Sequence, residues 1–493
     1  MFAITPLLAA NGETPLYVQL YAYIKEQIET GAIPSGARLP SIRQLAKHLE
    51  VSKNTVDSAY AQLLAEGYIE SRERRGCIVL PLDDLLPHGD ETRVRPGQSA
   101  RGASPAPASA GPGGPSSSGL TGEAPPAGGS KPRFDFQYGD IAYDRFPMDR
   151  WRTSMMKALA SPPQELLGYG DPLGLPELRK EIADFAYQSR GAVCAPEQVV
   201  ICAGTQHAVG LLCQLMQLHA KKIGMEEPGY DGVKTVFLRY GCNVSPIAVD
   251  EDGIRPDLLA KTDPDVVYVT PSHQFPLGMV MPIQRRTMLL NWASRSESWI
   301  IEDDYDSEFR YDSRPIPSLK ALDADGRVIY LGTMSKCFMP ALRLSYLILP
   351  APLMESASSM LAGYSQTVSP IIQRAAAVYM RDGHWARHIR RMKRIYQSRH
   401  RALTTAVKRH MGDRAELIGG RSGLHVLLDV KGRHRDELAR LAELADCRIY
   451  SPAKHWNDPD RCPDSYIMLG FGGLTEEELE EGIRRLAAAW FGD

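Results

Sequence analysis

Several short strings in this 493-residue chain bring together side chains that could do chemistry. In Gly332-Thr333-Met334-Ser335-Lys336, followed by Cys337-Phe338-Met339-Pro340 and then Arg343, a lysine stands among apolar neighbours. Desolvation disfavours its charged form and lowers its pKa, which favours the neutral amine that a Schiff base needs. Read alone, Lys336 is alternatively a solvated surface lysine. The hydroxyls of Thr333 and Ser335 and the guanidinium of Arg343 are groups that hold a phosphate. Upstream, Glu302-Asp303-Asp304-Tyr305-Asp306 leaves the apolar run Trp299-Ile300-Ile301. Asp303 and Tyr305 are two apart, so on a persisting strand they point the same way. A carboxylate beside a phenol suits a protonated ring nitrogen and a ring hydroxyl. Read alone, the acidic run is alternatively a metal cluster or a solvated loop, but no His/Cys spacing nearby supports a metal. A third string, Gly204-Thr205-Gln206-His207, opens an apolar helix, and a glycine turn there presents free N–H groups to an anion. Taken together, these strings describe a pyridoxal-phosphate site.

A second set of residues, near the N-terminus, suits nucleic acid. Ser52, Lys53, Asn54 and Thr55 stand at the start of a helical pattern, where phosphates and base edges are reached. Arg72, Arg74 and Arg75 crowd a hairpin tip before Gly76, and Arg38 and Arg43 flank another helix start. Lys and Arg barely outnumber Asp and Glu over residues 15–80, so any field is local.

The elements that would position these groups fall into two parts. Residues 17, 20, 21, 24 and 28 form one helical face. Ser41 is an N-cap candidate for a second helix with Ile42, Leu45, Ala46 and Leu49 inward. Ser52 caps a third, with Val56, Tyr60, Leu63 and Leu64 inward. The strand-like runs 68–71 and 76–80 follow. This outline is a winged helix-turn-helix, or alternatively a three-helix dimerisation module. Residues 134–493 alternate helical patterns with β runs such as 198–201, 235–238, 265–269, 299–303 and 328–332, which predicts a buried, mostly parallel sheet wrapped by helices. Ligands in such sheets bind at the carboxyl ends of the strands, where the chemistry-bearing loops fall. Between the two parts, 31 of the 37 residues from Pro96 to Pro132 are Pro, Gly, Ser or Ala, a composition that predicts a mobile linker. The expected division is a DNA-binding head at 1–82, a linker at 83–133 and a body at 134–493.

Composition sets the outer bounds. The net charge is −2, which excludes a polybasic or polyacidic chain. No apolar run approaches the roughly 18 residues of a membrane helix and no signal peptide is seen, so a cytoplasmic protein is expected. The eight scattered cysteines fit free thiols in a reducing compartment.

The strings also carry a resemblance. Residues 31–46, Val51-Ser52-Lys53-Asn54-Thr55-Val56 and Leu63-Leu64-Ala65-Glu66-Gly67-Tyr68-Ile69 resemble the GntR-type winged-helix domain of bacterial transcription factors. Tyr169-Gly170-Asp171-Pro172-Leu173-Gly174, Glu227-Pro228-Gly229-Tyr230, Thr270-Pro271-Ser272-His273-Gln274-Phe275-Pro276-Leu277-Gly278 and Ser335-Lys336 through Arg343 resemble fold-type-I, aspartate-aminotransferase-like enzymes. The fusion of the two is similar to the MocR subfamily of GntR regulators. The resemblance implies that Arg43, Lys53, Asn54, Thr55 and Gly76 contact operator DNA, with Arg74 in the wing. Asp57 departs from members that carry an arginine there. It implies that Lys336 carries pyridoxal 5'-phosphate, Asp303 pairs with the ring nitrogen, Tyr305 reaches the ring hydroxyl and Tyr230 lies near the ring. Thr205, Gln206, Ser335 and Arg343 would surround the phosphate. It also implies a head-to-tail homodimer.

Two departures stand out in the body. Ser272 and His273 replace the asparagine-rich string of many aminotransferases, and the C-terminal part offers no obvious arginine for a substrate carboxylate. Both weigh against a simple amino-acid effector and against efficient transamination. The expected function is therefore a transcriptional regulator that senses pyridoxal phosphate or a small amine or amino-acid-like effector, with no catalytic residues assigned. The alternative is a working aminotransferase with an accessory head. Finally, the arginine-rich stretch 384–401 reads as a solvated helix with an inner apolar face, or as an accessory DNA path.

Overall fold

The computed structural model describes residues 16–49, 51–65, 68–72, 76–79, 132–311 and 316–492. Residues 83–131 of the expected linker, and Arg74 and Arg75 at the hairpin tip, lie outside the described residues.

The head is three helices, α1 (Leu16–Glu29), α2 (Ile42–His48) and α3 (Lys53–Ala65), closed by the antiparallel hairpin β1 (Ile69–Arg72) and β2 (Gly76–Val79). Its core is the set of apolar residues that the helical spacing selects: Leu20, Tyr21, Ile24 and Ile28 of α1, Leu45 and Ala46 of α2, and Val56, Tyr60 and Leu63 of α3. Tyr17, Ile42 and Leu49 are only partly buried. The helix starts are fixed by side chains. Ser41 accepts from the Gln44 backbone N–H while Gln44 Oε1 accepts from the Ser41 N–H at 3.1 Å, a reciprocal capping box. Ser52 Oγ accepts from the Thr55 N–H at 3.1 Å and so caps α3. The Tyr60 hydroxyl donates to the Pro40 carbonyl at 2.9 Å, tying α3 to the start of α2.

The body is built on an eight-stranded sheet. In chain order its strands are β4 (Val199–Cys202), β5 (Lys222–Glu227), β6 (Asn243–Asp250), β7 (Gly253–Ile254), β8 (Val266–Val269), β9 (Trp299–Asp304), β10 (Val328–Thr333) and β11 (Ser345–Ile348). Their spatial order is β4-β11-β10-β9-β8-β5-β6-β7. Strands β10, β9, β8, β5 and β6 run parallel, while β11 is antiparallel to both β10 and β4. Helices pack on both faces, and two large apolar clusters fill the space between. In β9 and β10, Leu331 lies opposite Asp303 and Gly332 opposite Asp304, so the residues that follow both strands emerge at one edge. A smaller region adds the antiparallel sheet β12 (Ala415–Ile418), β13 (His425–Val430) and β15 (Tyr466–Gly470). Nearby, β14 (Cys447–Arg448) pairs with β3 (Phe134–Asp135), so the first residues of the body are held by its C-terminal part.

One expected strand is a helix. Thr235-Val236-Phe237-Leu238 lies inside the helix Asp231–Arg239, with Val233 and Phe237 buried. Those two are four apart, the spacing of one helical face, and the four-residue run alone is too short to reveal it. The arginine-rich stretch lies in one helix, His384–His410, where of the expected inner face Ile389, Met392 and Tyr396 are buried and Ile395 is only partly so. It is not simply solvated, because Arg390 and Arg399 are buried as well, and Arg399 donates to the Gly472 carbonyl and to Asp144.

No helix among the described residues is long and apolar enough to cross a membrane.

Candidate cofactor pocket and DNA-binding face

On the head, the capped helix starts leave Arg43 on α2 and Lys53 and Asn54 on α3 exposed. Thr55 is partly enclosed, and its hydroxyl lies 2.8 Å from Ser52 Oγ. Gly76 opens β2 in the left-handed region at φ +75°, with the Arg38 guanidinium beside it. A side chain there would be strained whatever room it had. Asp57 is exposed on α3 and adds a negative charge one turn beyond Lys53. The face therefore offers cations and small polar groups at two helix N-termini and a glycine at the wing. That arrangement fits a duplex backbone and the major groove.

In the body, the edge to which β9 and β10 deliver their ends borders a cavity of about 190 Å³. Tyr230, Thr205, Gln206, Asp303, Tyr305, Ser335, Lys336 and Arg343 all line it, so the fold brings together the eight residues singled out from widely separated strings. Tyr138, Thr270, Phe275, Thr333 and Pro340 complete the wall. Of these, the sequence marks Thr333 as a phosphate-holding hydroxyl, places Thr270, Phe275 and Pro340 in the strings above without a role, and does not single out Tyr138. Tyr138 follows β3, and Thr270 and Phe275 follow β8.

The pocket has two chemically distinct ends. At one, Gly204 adopts φ +92° before the helix Thr205–Leu215, whose first N–H groups have no partner within the helix. A Cβ on Gly204 would collide with the Arg343 guanidinium, so the glycine is what lets Arg343 cross the helix start. Arg343 itself sits at φ +50° after the turn Pro340–Leu342, a left-handed conformation that a glycine would adopt more cheaply. The Thr333 hydroxyl accepts from the Ser335 N–H at 3.2 Å, which shapes the loop carrying Ser335 and Lys336. Gln206 is exposed at the rim and donates to the Gly232 carbonyl at 3.0 Å. Cation, hydroxyls and helix N-terminus converge here as an anion site.

At the other end, the Lys336 Nζ lies 3.9 Å from the Tyr138 ring centroid. Burial lowers its pKa to about 8, against the opposing pull of Asp306, Asp140 and Asp303. Asp303 is buried and accepts a hydrogen bond from the Tyr268 hydroxyl on one oxygen, while its Oδ1 has no partner. Burial pushes its carboxyl up to about 7 despite that hydrogen bond. A lone buried carboxylate oxygen facing a cavity is costly unless a cationic or N–H group meets it. Tyr305 donates to the His273 carbonyl at 2.9 Å, and Asp306 holds the His273 ring at 2.9 Å. The same phenol oxygen also lies 2.9 Å from His273 Nδ1, so His273 fixes it from two sides. Tyr230 meets Phe275 edge to face, with centroids 5.6 Å apart and planes at 81°.

The remaining acids of this string are paired away from the pocket. Glu302 accepts from the backbone N–H groups of Leu319 and Lys320 and faces Arg286, and Asp304 is held by Arg190 and Tyr330. The string is thus neither a solvated loop nor a metal cluster. It is one acid turned to the cavity between two that are bound internally.

Comparison with known proteins agrees with both halves. The family of bacterial regulatory proteins named gntR matches residues 16–79, and aminotransferase class I and II matches residues 132–486. The chain is 40% identical to the uncharacterized HTH-type transcriptional regulator YdeL of Bacillus subtilis (strain 168), over 99% of each chain. It is 32% identical to the probable rhizopine catabolism regulatory protein MocR of Rhizobium meliloti, over 98% of this chain and 95% of the relative. Among solved structures, the α-aminoadipate aminotransferase LysN of Thermus thermophilus, complexed with N-(5'-phosphopyridoxyl)-L-leucine, covers 73% of this chain and 92% of its own at 23% identity, with a TM-score of 0.65. The body therefore has the fold of a pyridoxal-phosphate-dependent family. With a GntR helix-turn-helix head and an aminotransferase class I and II body matched along its full length, the chain belongs to the MocR subfamily of GntR-type transcriptional regulators.

Proposed function

We propose that this protein binds operator DNA through the head and pyridoxal 5'-phosphate in the body, and that the body reports the presence of that cofactor, or of a small amine reacting with it, to the head. The observation that carries the reading is the pocket itself. A lysine of lowered pKa, a buried carboxylate with an unpartnered oxygen and an anion-holding helix start line one cavity in a chain that also presents an exposed Arg43, Lys53 and Asn54. When bound, pyridoxal phosphate supplies an electrophilic carbon that takes up a primary amine. Lys336 would hold it covalently, Asp303 would meet the ring nitrogen and Tyr305 the ring hydroxyl. Tyr230 would lie beside the ring. Arg343, Ser335, Thr205 and Gln206 would surround the phosphate. The proposed division is head 1–82, linker 83–133 and body 134–493, assembled as a head-to-tail homodimer in the cytoplasm. The regulator reading is preferred to a working aminotransferase because the full-length relatives bear the names of regulators.

Arg43→Ala or Lys53→Ala is expected to weaken binding to DNA from the protein's own upstream region. The loss should be about 1–3 kcal/mol for a base contact, or about one unit of salt slope for a phosphate contact. Fluorescence anisotropy across a salt series reads both. Affinity and slope unchanged in both variants would refute the assigned DNA face.

The lowered lysine pKa has a kinetic consequence. With a pKa of about 8, roughly a tenth of Lys336 is neutral at pH 7, some hundreds of times more than for an ordinary lysine near 10.5. The rate of cofactor capture by the empty protein should rise with pH and level off above about 8. Stopped-flow absorbance measures it, and a rate still climbing steeply beyond pH 10 would place the reacting amine on an ordinary exposed lysine.

A further inference from the structure

His273, where the chain departs from the asparagine-rich string of many aminotransferases, and Asp306, which closes the acidic run, have no part in holding the cofactor as proposed above. Both side chains are buried, at 1% and 2% exposure, behind Tyr305 rather than in the cavity wall. Their hydrogen bonds meet at one atom. His273 Nδ1 lies 2.9 Å from Asp306 Oδ2, 3.2 Å from its Oδ1 and 2.9 Å from the Tyr305 phenol oxygen. The packing is fitted to that arrangement. Gly423, at φ +76°, sits so close to the pair that a Cβ on it would collide with the imidazole and with the Asp306 carboxylate. Its N–H donates to the Phe309 carbonyl at 2.7 Å and its carbonyl accepts from the Tyr311 hydroxyl at 2.6 Å, which fixes the loop against them.

The partners decide where the hydrogens sit. An ionised carboxylate only accepts, so Nδ1 carries the imidazole hydrogen and donates it to Asp306, with the phenol oxygen as a second acceptor. A phenol oxygen that accepts from Nδ1–H must point its own hydrogen elsewhere, and it donates to the His273 carbonyl at 2.9 Å. Burial, with Asp306, Tyr138, Asp303 and Tyr268 nearby, raises the Tyr305 pKa well above that of an ordinary phenol, so the group keeps that hydrogen. On the far side, the His425 ring stands 4.8 Å from the His273 ring. His425 Nε2 lies 3.0 Å from the Pro276 carbonyl and burial holds the ring neutral, so its Nδ1 is a bare acceptor. Without Asp306, the His273 hydrogen would therefore be drawn to Nε2, and Nδ1 would be free to capture the hydrogen of the phenol.

We propose that Asp306 and His273 are positioning residues that aim the Tyr305 hydroxyl. Asp306 keeps the imidazole hydrogen on Nδ1, and Nδ1–H occupies the phenol oxygen. The hydrogen of the phenol is thereby left to turn from the His273 carbonyl to the ring hydroxyl oxygen of the cofactor. It rotates and is not transferred. The inference rests on the proposed cofactor reading, and the test separates the two.

A hydroxyl donated to the ring oxygen favours its anionic form, so losing the donor raises the pH midpoint at which the absorbance of the loaded cofactor changes. The full-length protein is loaded with pyridoxal phosphate, loading is checked by borohydride trapping, and the absorbance is followed against pH. Tyr305→Phe should raise the midpoint by about one pH unit, a roughly tenfold change in proton affinity, the size of one hydrogen bond to a charged group. His273→Phe should do the same, and the double variant should go no further, because both act through one hydrogen. His273→Asn, whose amide can donate from near the Nδ1 position, should stay within about 0.3 of a pH unit of wild type. Where His273→Phe does not load, Asp306→Leu takes its place in the same cycle with the same expectation. A wild type that does not load, or an unmoved midpoint in Tyr305→Phe, defeats the cofactor reading beneath the inference. With Tyr305→Phe shifted, three results each overturn the inference alone: an unmoved midpoint in His273→Phe, shifts that add in the double variant, or His273→Asn displaced as far as His273→Phe.

Discussion

Lys336→Ala is expected to abolish covalent retention of pyridoxal phosphate. The wild-type protein, incubated with cofactor and desalted, should show a visible absorbance band and a borohydride-trapped mass increment, and the variant should show neither. The expectation follows from the place of Lys336 between the Asp303 end and the Arg343 end of one cavity, and from burial that keeps part of its amine neutral. The fold is not expected to depend on it, because its ammonium makes no ion pair among the described residues and lies over the Tyr138 ring. Circular dichroism and the thermal midpoint should therefore stay close to wild type in the absence of cofactor. A variant that still traps cofactor at one stoichiometric position would show that another lysine carries it.

Arg190→Ala should be the most damaging change to stability, by about 3–5 kcal/mol, the cost of leaving a buried charge without its partner. Arg190 donates to Asp304 at 2.5 Å, to Ser272 Oγ at 2.6 Å and to the Ile316 carbonyl at 3.2 Å. The Asp304 side chain is fully buried. Burial alone would raise its carboxyl, and Arg190, with Tyr330 donating, holds it down at about 2. A depressed carboxyl contributes stability that is fully present above its unfolded pKa, near 4, and is lost as pH falls towards 2. The loss in the variant should therefore be greatest near neutrality and shrink as acid protonates Asp304. Urea unfolding of the body, followed at pH 7 and again near pH 3, inside the window between about 4 and 2, reads both. A loss below about 1 kcal/mol at pH 7 would mean that the pair is not the buried linchpin between β9 and the helix Pro176–Arg190. The consequence for function is direct, because Asp304 adjoins Asp303 and fixes the end of the strand that presents it.

How much of this was legible in the sequence depended on whether the chemistry was local. The Asp303–Tyr305 pair, the Ser335-Lys336 loop and the Gly204 turn each announce themselves within a few residues, because a strand end or helix start needs particular types at fixed offsets. Tyr138, Thr270 and Phe275 reach the same cavity from segments remote in sequence, and only the sheet order brings them there. Strand β5 hid for a related reason. Lys222-Ile223-Gly224-Met225-Glu226-Glu227 looks too polar for a central strand, yet Glu226 is buried, because the Thr270 hydroxyl and N–H both donate to it. Burial pushes its carboxyl up to about 7, so near neutrality about half of it is uncharged. In the head the legibility was greater, since helix faces and caps are short-range features. Ser41 and Ser52 cap the helices where the spacing placed them. The arginine-rich helix shows the limit of reading charge as solvent exposure: Arg399 is 1% exposed because it braces the Gly472 turn.

The central claim is that the pocket around Lys336 and the face around Lys53 are thermodynamically linked. Linkage requires reciprocity, since a ligand that alters DNA affinity by some factor must have its own affinity altered by DNA by the same factor. The proposed link acts by shifting populations of head arrangements, which each ligand biases by its differential affinity. The decisive measurement is a paired titration on the full-length protein: upstream-region DNA with and without saturating pyridoxal phosphate, and pyridoxal phosphate with and without saturating DNA. The expected result is a change of about 5-fold or more, equal in both directions and absent in Lys336→Ala. Two affinities that are each indifferent to the other ligand would contradict the account.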